Sequence, residues 1–192
     1  VLPGWSAGST EYVYQPDSAR SESGWNVAGT LADWRDDVGS LCVGNSRLVF
    51  AVCVGFAGPL LQRAGVDGGG FHLVGSTSTG KTTALIVGAS VCGGGAGMGF
   101  VSSWRSTANG LEAAAEDHND TSLFLDEIGQ LDGRAVADAA YLLSNGLPKR
   151  RMDKNLASRP AAPWRILFLS SGEATLAEHA AAAGTRTRGG VD

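Results

Sequence analysis

The chain has 192 residues, a formal net charge of −4 and a pI near 5.3. This length fits one α/β domain with a sizeable core, and the acidic balance argues against a global basic field, so nucleic-acid binding would need a local patch. Three cysteines without C-x-x-C spacing argue against a disulfide framework or a zinc site. They favour reduced thiols in a cytoplasmic protein.

The first 29 residues are rich in Gly, Ser and Pro and predict a loop-rich lead-in, or the end of a preceding domain. Residues 30–192 are predicted to form one further domain. It begins with a helix from Thr30, the N-cap, to about Val43. A second, strongly apolar helix over about 46–64 is expected to be buried against the sheet. Because Gly55, Gly58 and Pro59 interrupt it, it does not predict a membrane span.

Strands and helices are predicted to alternate along the rest of the chain. This alternation predicts a parallel sheet flanked by helices. The strand candidates are 71–74, 100–103, 122–126 and 165–170, and the helix candidates are 81–91, 108–117, 134–145 and 173–183.

A complete Walker A motif directly follows the first strand candidate. Glycines let the backbone curl around an anion, successive N–H groups and a helix N-terminus face the phosphates, and a lysine reaches the β- and γ-phosphates. A hydroxyl beside the lysine serves Mg²⁺. The motif therefore predicts binding of ATP and Mg²⁺ by Gly75, Ser76, Thr77, Ser78, Thr79, Gly80, Lys81, Thr82 and Thr83.

A Walker B pattern ends the third strand candidate at Asp126 and Glu127. Asp126 is predicted to support the Mg²⁺ together with Thr82, and Glu127 to orient the attacking water. The motif follows Lys81 by 45 residues (126 − 81), with one strand and one helix between. That spacing matches P-loop ATPases whose sheet inserts a strand between the two motifs, and Glu127 favours hydrolysis over transfer to a small molecule.

Two serines end the fourth strand candidate. In such ATPases a polar residue at this position senses the γ-phosphate, and we expect Ser170 or Ser171 to do so, with Ser171 preferred as a catalytic residue. The alternative is a serine that caps the following helix, with Glu173 nearby. Both roles are compatible.

Two basic segments complete the set of candidates. Residues 149–165 carry six basic residues and one acidic residue, a local charge of +5 (6 − 1). A hairpin whose Lys149, Arg150 and Arg151 contact nucleic-acid phosphates is one interpretation, and a solvated charged loop is the other. Arg186 and Arg188 are candidates for an arginine supplied to a neighbouring subunit's γ-phosphate, or are charges of a tail.

Several stretches in combination resemble the domain-of-unknown-function family numbered 927, a group of bacterial and phage P-loop proteins. They are Gly44-Asn-Ser-Arg-Leu-Val-Phe50, the Walker A loop, Trp104-Arg-Ser-Thr-Ala-Asn-Gly-Leu111, His118-Asn-Asp120, Leu125-Asp-Glu127, Ala140-Tyr-Leu-Leu-Ser-Asn-Gly146 and Trp164-Arg-Ile-Leu-Phe-Leu-Ser-Ser-Gly-Glu173. The resemblance covers about residues 27–190.

The family resembles the additional-strand ATPases, which include superfamily-3 and AAA-type helicases and usually assemble as rings. Its members often accompany primase-type or Toprim domains, which implies a helicase-like role on DNA, with single-stranded DNA favoured. In the family an apolar strand follows the segment equivalent to 186–190. This chain lacks it, so we expect a truncated domain that is either unstable or leaves a sheet edge exposed beside the P-loop strand.

The predicted function is therefore ATP binding and hydrolysis in a helicase-like motor on DNA. The alternative is a nucleotide-dependent switch or scaffold in a mobile-element or defence system that does not translocate. A small-molecule kinase is a third interpretation, against which the Asp126–Glu127 pair counts.

Overall fold

A parallel four-stranded sheet forms the centre of the computed structural model, which describes residues 25–93, 100–131, 133–147, 163–182 and 184. The strands are β1 (Gly69–Val74), β2 (Val101–Ser103), β3 (Thr121–Asp126) and β4 (Ile166–Gly172). All four predicted strands are confirmed, with small shifts at their ends.

The strands lie in the order β1-β4-β3-β2, and every neighbouring pair is parallel. The last of the described strands, β4, is thus inserted between the strand that precedes the Walker A loop and the strand that carries Asp126. This confirms the predicted additional-strand arrangement. Among the described residues, β1 forms one edge of the sheet, with Phe71 and Val74 each 47% exposed.

A helical lead-in begins where the sequence predicts. Thr30 and Asp33 form a capping box at the start of α1 (Leu31–Trp34), in which the Asp33 N–H donates to Thr30 Oγ1 over 3.2 Å. The chain continues as a π-helical turn over Arg35–Gly39 and a 3-10 turn over Ser40–Cys42. The predicted helix is present, although it is not a regular α-helix throughout.

The apolar helix predicted over 46–64 is interrupted. It consists of α2 (Ser46–Ala57), a 3-10 turn over Gly58–Leu60 and α3 (Leu61–Ala64). Pro59 lies in that turn, where it lacks the N–H of a regular α-helical hydrogen bond. By length and composition alone, the stretch Ser46–Ala64 is the one helix among the described residues apolar enough to cross a membrane.

The prediction that this helix is buried holds for one of its faces only. Ala51, Val54 and Gly55 are buried, whereas Phe50, Phe56 and Leu60 are exposed. A Cβ on Gly88, in the helix that begins at Lys81, would come within 2.7 Å of the Ala51 carbonyl oxygen. The two helices therefore approach each other closely. Composition indicates an apolar helix but not which of its faces is covered.

The other helices alternate with the strands as predicted. They are α4 (Lys81–Ala89), α5 (Ala108–Asp117), α6 (Gly133–Asn145) and α7 (Leu176–Ala182). Helix α7 begins later than the predicted residue 173, because Thr175 and Glu178 form its cap: the Glu178 N–H donates to Thr175 Oγ1 over 3.1 Å. Neither Ser170 nor Ser171 caps it, so that alternative is wrong.

Strand alternation divides the apolar side chains between two cores, one on each face of the sheet. On the first face, α2 and α4 cover Phe124 and Leu169; on the second, α5, α6 and α7 cover Leu123, Leu125 and Phe168. Successive residues at the end of each strand therefore point to opposite faces, and this decides which polar side chains meet at the site.

Candidate nucleotide-binding site

The Walker A loop lies between the end of β1 at Val74 and the start of α4 at Lys81, which confirms the strand–loop–helix setting. Ser78 and Gly80 take positive φ angles of 63° and 84°. These left-handed turns curl the loop back on itself, and the Thr79 hydroxyl donates to the Ser76 carbonyl over 2.8 Å. The loop has the concave backbone that binds anions at a helix N-terminus.

Lys81 lies over this loop. Its Nζ donates to the carbonyl oxygens of Gly75 and Ser76 over 2.6 Å and 2.8 Å. The positive charge is thus fixed at the loop by the backbone itself. Thr82 and Thr83, the next two predicted ligands, are exposed in the first turn of α4.

The two Walker motifs meet at Thr82 and Asp126. The Thr82 hydroxyl is 3.1 Å from both Oδ1 and Oδ2 of Asp126, although the two residues are 44 positions apart in the sequence. Asp126 ends β3 on the face that α4 covers, so the carboxylate and the hydroxyl lie at the same corner of the sheet.

Ser171 on β4 joins this pair. Its hydroxyl donates to Asp126 Oδ1 over 2.5 Å and accepts from the Glu127 N–H over 3.0 Å. The side chain is almost completely buried. The structure thus brings the preferred candidate serine into contact with both Walker B residues.

Glu127 has an unusual backbone. Its φ of 56° is left-handed, a conformation that costs a non-glycine residue about 1–3 kcal/mol. Its Oε1 accepts from the Gly129 N–H over 3.2 Å and caps a 3-10 turn over Ile128–Gln130. The carboxylate is therefore at the correct edge of the sheet, but it is engaged with the turn that follows it.

Ser170 faces the other way. Its hydroxyl is 2.5 Å from Nδ1 of His72 on β1, and His72 Nε2 is 3.0 Å from the Ala174 carbonyl oxygen. A carbonyl can only accept, so Nε2 carries the proton, and in the neutral ring Nδ1 accepts from Ser170. Burial lowers the pKa of His72 from the ordinary 6.5 and keeps the ring neutral, although the bond to Ala174 opposes this shift.

His72 and Glu173 make contacts at this end of the sheet that the sequence did not indicate. Glu173 Oε1 accepts a hydrogen bond from the hydroxyl of Thr77, in the middle of the Walker A loop. The Gly75 N–H also donates to the Gly172 carbonyl over 3.2 Å. These contacts join segments almost a hundred residues apart, and no local pattern signals them.

The basic candidates Lys149, Arg150, Arg151, Arg186 and Arg188 lie outside the described residues. The residues that flank the first segment are described. The Trp164 N–H donates to the Gly146 carbonyl over 3.0 Å, so the chain leaves and returns at one place. Because Trp164 precedes β4, this place is at the amino edge of the sheet, opposite the Walker loops.

The oxygen donors at Thr82 and Asp126 fit a magnesium ion, which prefers oxygen ligands and is held in such sites by one or two carboxylates plus phosphate oxygens. Within the described parts of the chain, no group of three or more His, Cys, Asp and Glu side chains could hold a metal ion. A groove of about 380 Å³ also lies beside β1, but its lining, which includes Phe71, Phe168 and Leu176, contains no Walker A residue.

The strand order and the Walker loops together define a P-loop NTPase fold of the additional-strand type. The chain belongs to the family described as Domain of unknown function (DUF927), whose model matches residues 4–161. The match begins within the predicted lead-in and ends before β4. It confirms the resemblance inferred from the sequence motifs.

The chain is also similar to solved structures, of which the first described below shares this fold. The structure described as "SCCmec type IV Cch - active helicase" superposes with a TM-score of 0.60 at 20% identity, covering 85% of this chain and 32% of that one. NtrX from Brucella abortus in complex with ADP gives a TM-score of 0.43 at 15% identity, covering 83% of this chain and 36% of that one. The chain thus spans about a third of the length of these structures. No curated protein matches it.

Proposed function

We propose that the chain binds and hydrolyses ATP and that it is the motor domain of a cytoplasmic, helicase-like protein acting on DNA. The observation that carries the proposal is the contact of Thr82, Asp126 and Ser171 beside the Walker A loop. This contact brings side chains from three separate segments together at the end of the sheet where the Walker A loop lies, which supports the proposal. The family membership and the fold shared with a helicase are consistent with it.

Each residue has a distinct role in this proposal. The loop N–H groups and Lys81 bind the β- and γ-phosphates, and Thr82 and Asp126 would hold Mg²⁺. When bound, Mg²⁺ neutralises charge that develops on the transferred phosphoryl group. Glu127 orients the attacking water once its carboxylate leaves the N–H of Gly129, and Ser171 positions Asp126 and the backbone of Glu127.

DNA is proposed to bind at the opposite edge of the sheet. Lys149, Arg150 and Arg151 follow Gly146, whose carbonyl is paired with Trp164 at the amino edge. Strand β4 begins shortly after Trp164, near which the described chain resumes after this segment, and carries Ser171 beside the Walker A loop. Single-stranded DNA is the favoured partner, as the resemblance to helicase-like ATPases implies.

A ring is the proposed assembly. In it, Arg186 or Arg188 of one subunit would contact the γ-phosphate held by its neighbour, so turnover per subunit would rise with protein concentration. A primase-type or Toprim domain is the proposed neighbour in a longer polypeptide.

The test is ATP turnover with and without single-stranded DNA in the wild type and in the triple variant Lys149→Glu, Arg150→Glu, Arg151→Glu. We expect DNA to stimulate the wild type and not this variant. The control variant replaces three exposed arginines elsewhere, Arg35, Arg47 and Arg63, by glutamate, which changes the net charge by the same amount. Stimulation that survives in the first variant, or is lost equally in both, would contradict the assigned DNA site.

One observation favours the alternative of a nucleotide-dependent switch. The Glu127 carboxylate caps its own turn and is not released towards Lys81 and Thr82. In a switch, this state would persist with ATP bound and turnover would be slow. Turnover indifferent to DNA, together with assembly that depends on nucleotide, would support the switch over the motor.

A further inference from the structure

Glu173 is placed against the Walker A loop by two contacts of its neighbours in the sequence. The Gly75 N–H donates to the Gly172 carbonyl, and His72 Nε2 donates to the Ala174 carbonyl. The residues before and after Glu173 are therefore fixed to β1 and its loop. The Glu173 carboxylate itself accepts from the Thr77 hydroxyl.

The order of the strands determines which part of a bound nucleotide lies beside Glu173. Strand β4 separates β1, which leads into the Walker A loop, from β3, which carries Asp126. A phosphate chain that touches both Lys81 and an ion held at Asp126 has to cross the tip of β4. Glu173 lies just beyond that tip, so its carboxylate borders the place of the terminal phosphate.

No cation neutralises this carboxylate in the described part of the chain, where Glu173 forms no ion pair. A terminal phosphate and a carboxylate that has no ion-pair partner repel each other at short distance. A nucleoside diphosphate lacks that phosphate and avoids most of the repulsion. The Thr77 hydroxyl would then be the group for which the carboxylate and the terminal phosphate compete.

We propose that Glu173 sets the preference between triphosphate and diphosphate: it weakens binding of the triphosphate, which must displace the carboxylate from Thr77, and leaves the diphosphate almost unaffected. This inference rests on the proposed function, because it requires that the loop binds a nucleotide. The hydrogen bond between Thr77 and Glu173 would therefore be present with a diphosphate bound and absent with a triphosphate bound.

The experiment measures equilibrium affinities of the β,γ-imido analogue of ATP and of ADP by displacement of a fluorescent nucleotide, in the wild type and in Glu173→Gln. Glutamine keeps the hydrogen-bonding shape and removes the charge. We expect the imido analogue to bind about 3- to 10-fold more tightly to the variant. The affinity for ADP is expected to stay within about twofold of the wild type.

Glu116→Gln is the matched control, because Glu116 is an exposed glutamate on α5 and its loss changes the net charge equally. It is expected to change neither affinity. An equal change for both nucleotides in Glu173→Gln, or no change, would overturn the inference. Nucleotide binding without hydrolysis would contradict only the proposed hydrolysis, whereas a wild type that binds neither nucleotide would overturn both proposals.

Discussion

The two faces of the sheet at the tip of β4 use the same residue type for different purposes. On the face covered by α4, Ser171 contacts Asp126 and Glu127 next to the Walker A loop. On the opposite face, Ser170 is completely buried and bonds to His72. One step along a strand thus separates a serine at the candidate nucleotide site from a serine that joins β4 to β1.

The difference teaches that position at the end of a strand does not by itself define a site residue. Both serines are at the carboxyl edge, where parallel sheets bind their ligands. Only the side chain that alternates towards α4 reaches the Walker residues. The predictions below separate the two faces, beginning with the largest effect.

Lys81→Ala and Glu127→Gln should disable the nucleotide face in two distinguishable ways. Losing the charged donor of Lys81 should weaken ATP binding by about 10-fold or more. Glu127→Gln should retain ATP binding and lower turnover by about 100-fold, because glutamine orients water poorly. Fluorescent-nucleotide titration and phosphate release measure both quantities. Equal loss of binding in the two variants would contradict the separate roles.

Ser171→Ala and Ser170→Ala compare the faces directly. Ser171→Ala removes the partner of Asp126 and of the Glu127 N–H and should lower turnover by about 10-fold. Ser170→Ala leaves the Nδ1 of His72 without its donor and should lower the free energy of unfolding by about 1–2 kcal/mol, with turnover nearly unchanged. Urea unfolding and steady-state turnover are the measurements. A reversed pattern would mean that Ser170 belongs to the nucleotide site.

His72 should make the stability depend on pH. Burial lowers the pKa of His72 in the folded state below the unfolded value of 6.5, so the unfolded state binds more protons near this pH. The stabilisation is complete above about pH 6.5 and is lost as the pH falls towards the lowered pKa. His72→Gln should therefore flatten the urea-unfolding free energy between about pH 7 and 5.

Burial also lowers the pKa of His118, the C-cap residue of α5, so part of the slope should remain in the His72 variant. His118→Gln removes that remainder and serves as the comparison. A slope that His72→Gln leaves unchanged would show that the partial burial of His72 does not hold its ring neutral.

The central sheet and the Walker loops were predictable because their signals are local. The glycines and Lys81 follow an apolar strand, and the spacing to Asp126 predicted the inserted strand. The cap of α7 at Thr175 is also a local signal. The serines and the glutamate between Ser170 and Glu173 offered another possible cap, so the helix was predicted to begin too early.

Other features depend on long-range packing and had no sequence signal. A single histidine in a strand is usually a core residue, so His72 gave no indication of its bond to Ser170. The contact between Thr77 and Glu173 depends on β4 being next to β1. The exposure of Phe50 and Phe56 on α2 follows from which face meets α4, and apolar composition is the same for either face.

The most direct test of the account is Mg²⁺-dependent release of phosphate from ATP by the wild-type chain, measured beside Lys81→Ala. We predict release above the level of that variant and its loss when EDTA removes the metal. ATP binding to the wild type with no release above the Lys81→Ala level would contradict the assignment of Asp126, Glu127 and Ser171 to hydrolysis.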